Sequence, residues 1–259
     1  MYAELAAAYA EWRYRPAPDL LAGRTILVTG AGDGIGRSVA RTCAEFGANV
    51  VLLGRTQHKL EAVYDAIVSS TTTDPTIAPC DLESTTAEGY AELADMIVGH
   101  YGRLDGLLHN AGALGPRVPL EHYPIAQWRQ VMHVNVDALL LSTQALLPAL
   151  RRASDASIVI ASSSVGRRGR AYWGAYAVSK FAAEGFAEVL ADELEHEGIR
   201  VATINPGATR TRMRAAAYPG EDPATVPTPE THLDLYLYLL GPAGRGRSEL
   251  QWDARDWNP

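Results

Sequence analysis

Residues Thr25-Ile26-Leu27-Val28-Thr29 form an apolar run rich in β-branched side chains. Gly30-Ala31-Gly32-Asp33-Gly34-Ile35-Gly36 then turns it into a stretch where Ile35, Val39, Ala40 and Cys43 recur at helical spacing. No other feature constrains the fold as strongly. A strand feeding a glycine-rich turn and then a helix offers unpaired N–H groups and about half a positive charge to a phosphate. The glycines allow a pyrophosphate to approach the backbone. The spacing T-G-x-x-x-G-x-G, through Gly30, Gly34 and Gly36, departs from the dinucleotide pattern G-x-G-x-x-G. By itself it also fits an ordinary strand-to-helix turn.

The remaining chain supplies the context. Its 259 residues suit one large α/β domain, with no Pro/Ser-rich linker or internal repeat to divide it. A net charge of -7 argues against a nucleic-acid or anionic-membrane binder. Cys43 and Cys80 lack metal or redox spacing and read as small core residues. The histidines do not pair at ligand spacing, so no metal is expected. No apolar run reaches membrane-span length and the N-terminus lacks a basic n-region, so a cytoplasmic protein is expected. Residues 1–22 read as an N-terminal helical extension. Tyr2, Leu5, Tyr9 and Trp12 form its apolar stripe, which serves either to dock a neighbouring subunit or to pack on its own domain.

Residues 23–259 alternate strands and helices, predicting a single domain with a doubly wound parallel sheet of about seven strands. A second strand, 48–53, ends at Gly54-Arg55, where an adenosine ribose would lie. Arg55 in place of a carboxylate favours NADP(H), although it also reads as a surface cation. Asp33 would repel a 2′-phosphate and leaves NAD(H) open. Asp81, followed by Leu82, either accepts from an adenine amino group or caps the next helix. Asn110-Ala111-Gly112 closes the fourth strand, with small residues where backbone would pass close to a ligand. Asn135 interrupts the apolar face of a helix over 125–150 and needs a partner for its amide. Residues 208–228 read as a flap over the substrate.

Tyr176 and Lys180 lie four apart on a helix and share a face. An ammonium about 4 Å from the phenol contributes on the order of 4 kcal/mol at an effective dielectric of ~20. That could lower tyrosine from ~10 by up to ~3 units. Of 23 basic residues only Lys59 and Lys180 are lysines, so the pairing is unusual for an arginine-rich chain.

Thr29-Gly30-x-x-x-Gly34-x-Gly36, Asp81, Asn110-Ala111-Gly112, Asn135, Ser163, Tyr176-x-x-x-Lys180 and Pro206-Gly207-x-x-x-Thr211 occur in the order and spacing of one family. The chain resembles the short-chain dehydrogenases/reductases over residues 23–255. Ser162-Ser163-Ser164-Val165-Gly166-Arg167, Trp173-Gly174-Ala175-Tyr176 and Asn205-Pro206-Gly207-Ala208-Thr209-Arg210-Thr211 look most like the YciK-type bacterial oxidoreductases. The resemblance implies a Rossmann-like fold and an oxidoreductase moving a hydride between NADP(H) or NAD(H) and a carbonyl or secondary alcohol. By resemblance, Tyr176 is the general acid/base and Lys180 lowers its pKa and binds the nicotinamide ribose. Ser163 orients the substrate oxygen, and Asn135 holds a water linking Lys180 to solvent. Gly30, Asp33, Gly34, Ile35, Gly36, Arg55, Asp81, Leu82, Asn110, Ala111, Gly112, Tyr176, Lys180, Pro206, Gly207, Thr209 and Thr211 would contact the cofactor. It also implies a homodimer or homotetramer pairing the helices over 125–150 and 173–196. His109 replaces a common second asparagine.

Arg167, Arg168, Arg170, Arg210, Arg212 and Arg214 flank the expected mouth and suggest an anionic substrate. Tyr172 has no lysine partner and reads as a pocket wall or core aromatic. A regulatory nucleotide-binding protein without turnover, or an epimerase or dehydratase on the same scaffold, are the alternative functions.

Overall fold

The strand segments are buried on consecutive residues, as a sheet covered on both faces requires. Ile26, Leu27 and Val28 are fully buried, as are Val50, Val51 and Leu52. The structure is a computed structural model that describes Ala7, Ala10, Trp12, residues 14–246 and residues 249–257. Its strands are β1 (Thr25–Thr29), β2 (Asn49–Gly54), β3 (Thr76–Pro79), β4 (Gly106–His109), β5 (Ala156–Ala161), β6 (Ile199–Asn205) and β7 (Gln251–Asp253). They form one sheet in the order β3-β2-β1-β4-β5-β6-β7, and every pairing is parallel.

The helices are α1 (Gly34–Glu45), α2 (Gln57–Val68), α3 (Ala87–Tyr101), α4 (Ile125–Met132), α5 (Ala138–Leu150), α6 (Ser164–Arg167), α7 (Gly174–Leu194), α8 (Arg212–Ala217) and α9 (Leu233–Leu240). Side chains alternating along each strand feed two cores. Ile26, Val28, Val50 and Leu52 pack with Val39 of α1, Leu60 of α2 and Leu237 of α9. Leu27, Val51 and Leu53 pack with Ile97 of α3, Leu146 of α5 and Leu190 of α7 on the other face. This is the single-domain, doubly wound, Rossmann-like sheet of seven strands that the sequence predicts.

Several boundaries differ from expectation. The helix over 125–150 is broken by a π-turn, His133–Asp137, between α4 and α5. Asp81 does not cap a helix. Thr86 caps α3 by accepting from Gly89 N, while Asp81 Oδ1 accepts from Glu83 N at 3.1 Å. The 208–228 stretch contains α8, capped by Thr211, and a 3-10 turn at Pro223–Thr225. Cys43 is a core residue whose burial pushes its thiol up to about 12. Cys80 is only partly buried and lines a cleft, with Sγ 3.1 Å from Thr85 Oγ1.

Tyr2, Leu5 and Tyr9 lie outside the described residues. Trp12, the last member of that stripe, is buried, stacks on Phe46 at 6.3 Å and donates from Nε1 to the Glu230 carbonyl. Among the described residues no helix is long and apolar enough to cross a membrane. No group of three His, Cys, Asp or Glu there could hold a metal ion.

Candidate active site

A cleft of about 490 Å³ opens where the strand order reverses between β1 and β4, at the carboxyl ends of the strands. Open α/β sheets place ligands at such a reversal. The glycine turn forms one wall, with Gly30 and Gly34 at φ values of 70° and 51°. A Cβ on Gly36 would stand 2.4 Å from the Gly30 carbonyl oxygen and 2.6 Å from Asn110 Nδ2. Gly36 therefore lets α1 start directly under the turn and does not itself line the cleft. Asn110 and Ala111 brace the turn from β4: both backbone N–H groups donate to Thr29 Oγ1, and Asn110 Nδ2 donates to the Thr29 carbonyl. A Cβ on Gly112 would meet Asn135 Oδ1 at 3.3 Å and Lys180 Nζ at 3.8 Å, so backbone runs close under the lysine.

Ile35, Arg55, Asp81, Leu82, Pro206 and Thr211 also line the cleft. Gly207 and Thr209 do not. A Cβ on Gly207 would meet Arg255 Cγ at 3.3 Å, and buried Thr209 donates its hydroxyl to the Pro206 carbonyl. Both shape the turn after β6.

Asp33 does not act as a bare negative charge. It caps α1 by accepting from Gly34 N at 2.8 Å, and its other oxygen meets Lys59 Nζ at 2.5 Å and Arg212 Nη1 at 3.5 Å. Partial burial pulls its carboxyl upward, yet the Lys59 hydrogen bond, the Gly34 N–H and the two cations prevail and hold it below the usual range. Lys59 and Arg212 are cleft residues that the motifs alone did not assign to a cofactor. Lysine scarcity was the signal that could have found Lys59, since both lysines of the chain line this cleft.

Tyr176 and Lys180 project from successive turns of α7, with Lys180 Nζ 5.7 Å from the tyrosine ring centroid. The ammonium donates to the Ala161 carbonyl at 2.6 Å rather than to the phenol. On balance the tyrosine is not lowered from its ordinary value. Burial pushes Tyr176 up to about 12, against a hydrogen bond from Ser163 that pulls it down. Burial also lowers Lys180 to about 8, while Glu184 works in the opposite direction. Ser163 caps α6, its Oγ accepting from Val165 N, which aims the hydroxyl at the phenol.

Asn135 is buried in the π-turn, and its side chain is committed to protein. Oδ1 accepts from Ala113 N at 2.7 Å, and Nδ2 donates to the Ala113 carbonyl and Ser179 Oγ, each at 2.9 Å. The amide partners that justify an asparagine there are backbone and α7. Its side chain pins the loop after β4 to the helix bearing Tyr176.

The arginine rim is largely tied up. Arg167 bonds buried Glu184, Arg210 donates to the Val226 carbonyl, Arg214 forks onto Glu221 at 2.6 and 2.5 Å, and Arg212 faces Asp33. Arg168, Arg170, Arg210 and Arg212 keep the exposed character expected of a rim. Tyr172 is exposed at 55% with φ 70° and is not a core residue. The apolar surroundings of Tyr176 are Val165, Leu114, Trp173 and Met213. Arg117, not foreseen, stacks between Trp173 and Tyr218 at 4.6 and 4.9 Å and donates to the Ala217 carbonyl.

His109 is buried behind this site, with Nε2 3.0 Å from Thr143 Oγ1. Burial and the Lys180 charge hold its imidazole down at about 3. An unfolded histidine takes up a proton near ~6.5, so the unfolded chain binds more protons across this window. The stability associated with neutral His109 is full above the unfolded value and declines as pH falls toward the folded one. Thermal unfolding followed by circular dichroism should show wild type losing more melting temperature than His109→Asn between about pH 7 and about pH 4. Parallel losses would show that the imidazole is protonated in the fold.

The short chain dehydrogenase family model matches residues 24–222. The oxidoreductase YciK of Escherichia coli K12 is 50% identical over 242 residues, which is 93% of this chain and 96% of YciK. The solved YciK structure from E. coli superposes with a TM-score of 0.92 at 50% identity, covering 94% of this chain and 100% of that one. A short chain dehydrogenase from Shigella flexneri 2a, complexed with NADP, gives 0.90 at 50% identity over 92% of this chain and all of that one. One from E. coli CFT073, complexed with NADPH, gives 0.90 at 50% over 93% and 100%. The parallel sheet, the braced glycine turn and these matches agree: the chain belongs to the short chain dehydrogenase family, as an NAD(P)-dependent oxidoreductase of YciK type.

Proposed function

We propose that the chain transfers a hydride between NADP(H) and a small-molecule carbonyl or secondary alcohol, with Tyr176 as the proton donor and acceptor. The convergence of Tyr176 and Lys180 in the strand-end cleft, with Ser163 hydrogen-bonded to the phenol, carries this reading. The cleft fits a dinucleotide phosphate. The N-terminus of α1 opens onto it, Gly30 and Gly34 leave backbone accessible, and Arg55, Lys59 and Arg212 line it. When bound, the nicotinamide supplies the hydride. Tyr176, kept protonated by burial, hands its hydroxyl proton to the substrate oxygen. Ser163 holds that oxygen at hydrogen-bond distance from the phenol and fixes its angle. Lys180 keeps positive charge beside the phenol and favours the phenolate left behind. Thr211, which lines the cleft, would help to hold the nicotinamide end, with the 208–228 segment as the flap beside it.

The NADP and NADPH complexes of the two relatives support the phosphorylated cofactor. NAD(H) is the competing cofactor. Titration of NADPH and NADH by tryptophan fluorescence quenching decides between them, and tighter NADPH binding is expected. Tighter NADH binding would overturn the preference, and absence of both would remove the enzymatic reading. Lys59→Ala should weaken NADPH about tenfold more than NADH, because it removes a cation and unmasks Asp33. A charge-assisted hydrogen bond is worth roughly 1.5–3 kcal/mol, and ~1.4 kcal/mol is tenfold. Exposed Val178, Phe181 and Val189 on α7 and Leu140 on α5 support pairing of these helices between subunits.

A further inference from the structure

One charged side chain near the site has no part in the chemistry above. Glu184 lies one helical turn beyond Lys180 on α7, and only 5% of it is exposed. Oε1 accepts from Ser162 Oγ at 2.5 Å and from Arg167 Nε at 2.9 Å, and Oε2 accepts from Thr203 Oγ1 at 2.7 Å. Arg167 continues outward, donating from Nη2 to Thr203 Oγ1 and to the Trp252 carbonyl. One carboxylate thus joins α7 to β6, to α6 and to the residue preceding Ser163.

We propose that Glu184 is a positioning residue that anchors the Ser163 segment to α7 and serves as the buried counter-charge of Lys180. Tyr176, Lys180 and Glu184 occupy three successive turns of one helix, so proton donor, cation and anion form a column. A buried ammonium is costly unless a compensating charge is near. The groups facing Lys180 are the Ala161 carbonyl on β5, the imidazole of His109 on β4, and Tyr176 and Glu184 on its own helix. Only Glu184 among them favours the protonated lysine through charge, and it does so against burial. The groups facing Glu184 are Ser162, Arg167 and Thr203. The assignment rests on Tyr176 and Lys180 being the proton-handling pair, but it is read on the lysine itself and needs no substrate.

The chain has only two lysines, so protein labelled with carbon-13 at lysine Cε gives two lysine resonances, assigned with Lys59→Gln. In wild type, Lys180 should titrate well below the ordinary lysine value of ~10.4. Glu184→Gln, which preserves shape, should shift it about one further unit acidward, a tenfold weaker hold on the proton. Glu184→Asp should restore the wild-type titration. If the single variant does not fold, the pair Arg167→Met/Glu184→Gln removes both members of the ion pair, and the acid shift should persist. A Lys180 titration unmoved in either folded variant overturns the assignment, whatever the cofactor and carbonyl assays show.

Discussion

Tyr176→Phe is expected to lower NADPH-dependent reduction across a carbonyl panel by roughly 10²–10⁴-fold, the usual contribution of a positioned general acid, with NADPH affinity unchanged. The substitution removes one oxygen from a buried ring that packs among Val165, Trp173 and Met213, and these contacts do not involve the hydroxyl. Stability should therefore be nearly unaffected, which separates loss of the proton from loss of the fold. The direction of the pKa matters here. With the phenol pushed up to about 12, the group is protonated throughout the neutral range and ready to donate. Lys180, lowered to about 8, is the group that changes charge near neutrality. Reduction should accordingly fall on the alkaline side as the lysine loses its proton, since phenolate formation then lacks its neighbouring cation. A Tyr176→Phe enzyme that retains wild-type turnover would remove the tyrosine from the mechanism and leave Ser163 as the remaining hydroxyl to test.

Gly36→Ala should be nearly as severe by a different route. The added Cβ would meet the Gly30 carbonyl oxygen at 2.4 Å and the Gly30 carbonyl carbon at 2.8 Å, both backbone atoms that cannot rotate away. Asn110 Nδ2, at 2.6 Å, would also have to leave the Thr29 carbonyl. Overpacking of a tight interior costs about 1–3 kcal/mol, and the upper end applies where backbone must move. At ~2–4 °C per kcal/mol for a domain of this size, the melting temperature should drop by roughly 6–12 °C. NADPH binding should fall with it, because the displaced turn carries the helix N-terminus out of register. Retained stability with lost binding would mean that the turn adapts and only the phosphate cradle fails.

Much of this architecture was legible because parallel strands are read from consecutive apolar residues and the glycine turn from its spacing. Tyr176 and Lys180 were legible because helix periodicity puts them on one face, and Ser163 was legible only through the family resemblance. What was not legible concerns environment. The sequence places a lysine beside a tyrosine but cannot say how far burial offsets the charge, and here burial wins for both groups. Asp33 reads as a repulsive carboxylate until Lys59 and Arg212, from other elements, are seen against it. Arg167 reads as part of a basic rim at the mouth, yet it reaches inward to Glu184. A single strand of letters contains no cross-element distances, so each of these depended on tertiary packing.

The π-turn at His133–Asp137 has a consequence for how this helix tolerates change in length. A π-turn is a regular helix with one residue added. Deleting Val134 would let α4 and α5 fuse into one unbroken rod. Because the wider turn takes up its additional residue locally, α4 and α5 would keep nearly the faces they now present, with Leu139 and Leu146 still in the core. What would be lost is the bulge itself, which holds Asn135 where its side chain meets the Ala113 backbone and Ser179 Oγ. The extra residue therefore acts as a local displacer: it moves one side chain off the regular helical lattice and leaves both halves of the rod where they are.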